Sequence, residues 1–196
     1  MKTETFNTEV NNFKKELMRI IPNIFRDMKE FRPTVMVYIY TKGADKQPIG
    51  VMPDVDKALS IPIIGKKVAA AAINEMVSQT KPIALAFISE AYALKSENIP
   101  GKRTEDHLKE IKEVGGIANH PDKQEILIIS LETYCMECNI KYNIKRDTDN
   151  PRLELSDDTI DWQEKSKEHG AMQNFIKECY VDLDEDLGPA DLSKVN

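Results

Sequence analysis

From Tyr134 to Lys145 the chain alternates without a break. Tyr134, Met136, Cys138, Ile140, Tyr142 and Ile144 fall on one side, and Cys135, Glu137, Asn139, Lys141, Asn143 and Lys145 on the other. A period of two belongs to a β-strand with one buried and one wet face, so this stretch demands a sheet with a cover on one side. Just before it, Glu125 to Leu131 is apolar on both faces, as in a strand enclosed by protein. No Gly or Pro divides the two parts, so the pattern predicts one long, bent strand bulged near Glu132.

The cover is legible at the other end of the chain. Phe6, Val10, Phe13, Leu17, Ile20, Ile24, Met28 and Phe31 recur every three or four residues, the stripe of an amphipathic helix. Pro22 removes a backbone donor and crowds the preceding turn, which predicts a kink or break there. The same residues contain heptads (Phe6, Phe13, Ile20; Val10, Leu17, Ile24, Phe31) that could form a dimeric coiled-coil seam. Packing on the domain's own sheet is the preferred reading, because a half-polar sheet needs such a cover and Pro22 weakens a coiled coil.

Between these ends, Thr34 to Tyr40 and Ile83 to Leu94 read as strands, with Ile49 to Met52 as a short return strand. Val68 to Val77 reads as a short helix, and Thr104 to Val114 as another, stopped by Gly115-Gly116. Arg152 to Leu155 forms a further short strand. Ser156 is placed as the cap of a last helix containing Ile160, Trp162, Met172, Phe175, Ile176, Cys179 and Tyr180. The expected fold is α+β: a mainly antiparallel sheet of about four to six strands, covered by the N-terminal amphipathic helix and a C-terminal helix. One domain is expected over 1–186, with 187–196 as a flexible tail.

An apolar fraction of 41% and a net charge of −6 exclude a disordered chain, and no apolar run reaches the length of a membrane span. Met1 to Phe6 lacks the apolar core of a secretory leader, so the expected compartment is the cytoplasm, with no membrane partner. Lys and Arg are dispersed, which disfavours nucleic acid. Three cysteines, Cys135, Cys138 and Cys179, suggest free thiols rather than a disulfide framework.

Three constellations could carry chemistry. Glu90 and Glu132 each sit among apolar neighbours on a strand, and if the strands are adjacent the two carboxylates could converge as an acid–base pair. The plainer alternative has each facing water or pairing with a lysine such as Lys95 or Lys141. Cys135 and Cys138 have the spacing of half a zinc site, to be completed from His120, His169 or Cys179. Residues three apart on a strand point to opposite faces, which counts against it. His120, oriented by Asp122, could act as a general base, although Asn119-His120-Pro121-Asp122 is also an ordinary turn. No phosphate loop, nucleophile elbow or metalloprotease motif is present.

The resulting expectation is a non-enzymatic protein-binding or accessory protein. Its first helix, or strand 134–145 acting as a free edge, would contact a partner or a second copy. The competing reading is a small hydrolase or metal-dependent enzyme built on Glu90 and Glu132, with His120 and a cysteine beside them.

Overall fold

The computed structural model describes residues 3–44, 48–52, 55–94, 104–146, 151–165 and 174–177. In chain order the elements are α1 (Thr3–Met28), β1 (Thr34–Tyr38), β2 (Ile49–Met52), α2 (Val55–Leu59), α3 (Gly65–Thr80), β3 (Ala84–Leu94), α4 (Thr104–Glu113), a 3₁₀ turn (Ile117–Asn119), β4 (Lys123–Glu132), β5 (Met136–Lys145), β6 (Arg152–Leu155) and β7 (Ile160–Glu164). The strands lie in the order β2-β1-β3-β4-β5-β6, β7 also pairs with β5, and every pairing is antiparallel. The class is α+β. No helix among the described residues is long and apolar enough to cross a membrane.

One face of the sheet is closed by α1. Phe6, Val10, Phe13, Leu17, Ile21 and Phe25 are buried against Met36, Tyr38, Ala86, Ile88, Leu127, Ile129, Cys138, Ile140 and Tyr142. The stripe thus leaves the heptad positions Ile20 and Ile24 for Ile21 and Phe25, and Met28 is exposed. A straight helix of 3.6 residues per turn drifts about 20° per heptad, so a helix lying on a sheet moves its buried line in this way, whereas a coiled coil would hold it. Pro22 does not break α1, which is continuous from Thr3 to Met28. Packing on both sides of the proline, at Ile21 and Phe25, offsets the missing hydrogen bond.

Among the described residues the opposite face is closed only in part. Val35, Val37, Ile39 and Leu85 pack with Val55 of α2, with Ala69, Ile73 and Val77 of α3, and with Phe175 and Ile176. Farther across, the β4–β5 half of this face carries Ser130, Glu132, Glu137, Asn139, Lys141 and Asn143.

Two expectations about the sheet are corrected. Glu125 to Lys145 is a hairpin, not one bent strand, with Glu132 opposite Glu137. The turn needs neither Gly nor Pro, because the buried Thr133 hydroxyl accepts the N–H groups of Cys135 (3.3 Å) and Met136 (2.9 Å) while the Thr133 N–H reaches Met136 O (2.8 Å). Residues 160–164, expected as helix, are strand β7. β6 and β7 run along the outer edge of β5 as one interrupted strand, with Ser156 N–H bonded to Lys141 O and Lys141 N–H to the Thr159 hydroxyl across the gap. Ile160 and Trp162 lie two residues apart, the spacing of a strand, and the long β5 edge offers them a row of backbone partners. Met172, Cys179, Tyr180 and the expected tail lie outside the described residues.

Candidate functional site

The strand register separates the two carboxylates. Glu90 lies opposite Leu127 and Glu132 opposite Leu85, five residues further along and on the other face of the sheet. At the rise of a strand this is about 17 Å along the sheet, so they do not converge.

Each is engaged locally. Glu90 accepts the Phe31 N–H and a charge-assisted bond from Arg146 (2.7 Å). Arg146 also donates to Glu125 and to the Lys29 carbonyl, and its guanidinium lies 5.6 Å from the Phe25 ring centre. This node ties the C-terminal end of α1 to β3 and β4. Glu132 is 7% exposed. It accepts three successive backbone N–H groups, from Asn174 (2.7 Å), Phe175 (2.6 Å) and Ile176 (2.8 Å). Lys165 lies 3.8 Å from the same carboxylate and donates to the Ile176 carbonyl (2.8 Å). Burial lowers the Lys165 pKa, and the Glu132 charge opposes that shift. The pair grips both the amide and carbonyl sides of 174–176 and seats Phe175 and Ile176 in the second core.

His120 is buried, and its Nδ1 accepts the backbone N–H of Asp122 (3.1 Å). The backbone of Asp122, not its carboxylate, therefore orients the ring. Its Nε2 faces Glu110 at 3.7 Å. A base needs a lone pair turned toward substrate, and that of Nδ1 is already used. Cys138 is buried under α1, with its pKa pushed up to about 11 chiefly by burial. Cys135 is exposed on the β4–β5 turn. Among the described residues no three His, Cys, Asp or Glu side chains gather as metal ligands. His169 and Cys179 lie outside those residues.

The expected contact surfaces are also occupied. The apolar stripe of α1 is spent on the sheet, and β5 is an interior strand between β4 and the β6–β7 pair, not an edge.

Exposed apolar surface instead concentrates in the link between α2 and α3, Ser60-Ile61-Pro62-Ile63-Ile64-Gly65. Ile63 is 101% exposed, and Ile61, Ile64 and Val68 are exposed as well. Ile63 has φ +67°, a conformation costly for a β-branched residue. It is the middle of a γ-turn closed by Ile64 N–H to Pro62 O (2.7 Å). Outer bonds brace the turn: Ile61 N–H to Ala58 O, Gly65 N–H to Ile61 O, and Lys67 and Val68 N–H to Ile64 O. Gly65 is required, since a Cβ there would stand 2.5 Å from Leu59 O and 2.8 Å from Ala58 O. A braced turn therefore holds an isoleucine out in water at a conformational cost, with Lys66 and Lys67 exposed beside it.

Sequence reasoning passed over this turn, although a run of three isoleucines confined between Ser60 and Gly65, too short for a strand, was its signal. Arg146 and Lys165 carry no such signal, since a cation among other polar and charged residues does not stand out in the sequence. Compared with known proteins, the chain matches no family model, no curated protein and no solved structure.

Proposed function

We propose that this chain is a non-catalytic binding protein that docks through the apolar turn 60–68. The observation that carries the reading is Ile63, wholly exposed at φ +67° inside a braced turn. Strain of this kind costs about 1–3 kcal/mol and persists only where the surroundings enforce it. Neither core gains from that side chain, so a contact outside the chain is what gives it a use. The fixed partners of Glu90, Glu132 and His120 support the same reading, because each is engaged in hydrogen bonds within the fold.

The test is fractionation of cells expressing the tagged full chain, as wild type and as Ile63→Gly. Glycine accepts positive φ without strain, so the variant removes the side chain and keeps the turn. The wild type is expected in a bound fraction, whether membrane or assembly, and the variant in the free pool. Wild type and variant together in the free pool would end the docking reading.

A further inference from the structure

We draw no further inference here: the strongest candidate, the apolar groove between α3 and the sheet where Glu132 and Lys165 hold residues 174–176, is filled by the chain's own Phe175 and Ile176, and nothing among the described residues shows what else would occupy it.

Discussion

On one face of the sheet a single 26-residue helix lays Phe6, Val10, Phe13, Leu17, Ile21 and Phe25 on the strands. On the other, two helices cover the β1–β3 half, and residues 174–176 are tied to the end of β4 by a carboxylate and an ammonium. Apolar burial has no direction, so the first closure distributes its stability over many contacts and tolerates the drift of the stripe past Pro22. Hydrogen bonds do have direction. The second closure places Phe175 and Ile176 at one register, because Glu132 can receive three successive amides in only one way.

The two closures should therefore fail differently. Phe13→Ala removes a wholly buried ring that stacks on Tyr38 with centres 4.8 Å apart. It is expected to cost about 4 kcal/mol, read as a lower urea midpoint for the whole domain with an unchanged slope. Glu132→Ala leaves three amides without their acceptor, removes the carboxylate 3.8 Å from the Lys165 ammonium, and is expected to cost about 3 kcal/mol. Its signature is local: faster hydrogen exchange at 174–176 and at β7 before the α1 face is touched. Equal exchange changes on both faces after Glu132→Ala would show that the sheet is one cooperative unit and the comparison is false.

Pro22 offers a smaller test on the helical face. Pro22→Ala restores an N–H in the interior of α1, and the gain is expected to be about 2 kcal/mol after allowing for the greater freedom of the unfolded chain. A higher melting temperature with unchanged circular dichroism would support the view that tertiary packing alone carries the proline. An unchanged melting temperature would mean that the helix has already relaxed around it.

How far the sequence discloses each face follows from the same difference. The α1 stripe and the apolar side of β5 announce themselves by period, because burial by area requires repetition, and Phe13, Leu17, Cys138 and Ile140 all fall where the spacing puts them. The latch has no period. Glu132 is visible as an acid in an apolar strand, yet nothing near it in the chain names partners at Lys165 and 174–176, since one carboxylate meeting three amides needs no particular side chains on the other side. The hairpin at Thr133 was hidden for a related reason: a hydroxyl stands in for the glycine that usually marks a turn. Ile160 and Trp162, two apart, have the spacing of a strand, but two residues are too few to outweigh a helix reading, and the β5 edge they pair with is invisible as such in the sequence.

The smallest effect is the most discriminating, because the two faces respond to alkali with opposite sign. Under α1, burial holds the Cys138 thiol protonated up to about pH 11, against an ordinary value of 9.0. Between those values the unfolded thiol has lost a proton that the folded one keeps. Raising the pH therefore favours unfolding, and the contribution, full below pH 9, is gone above about 11. On the latch face burial lowers the pKa of Lys165 beneath its ordinary 10.5. In the window just below 10.5 the unfolded ammonium keeps a proton that the folded one has released, so raising the pH there favours folding. Comparing wild type with Cys138→Ala in urea titrations from pH 8 to 11 isolates the first contribution, expected to be about 1–2 kcal/mol. Comparing wild type with Lys165→Met isolates the second, which should have the opposite slope. Parallel pH profiles for wild type and Cys138→Ala would mean that water reaches the thiol, and that the α1 face is less tightly closed than its buried stripe implies.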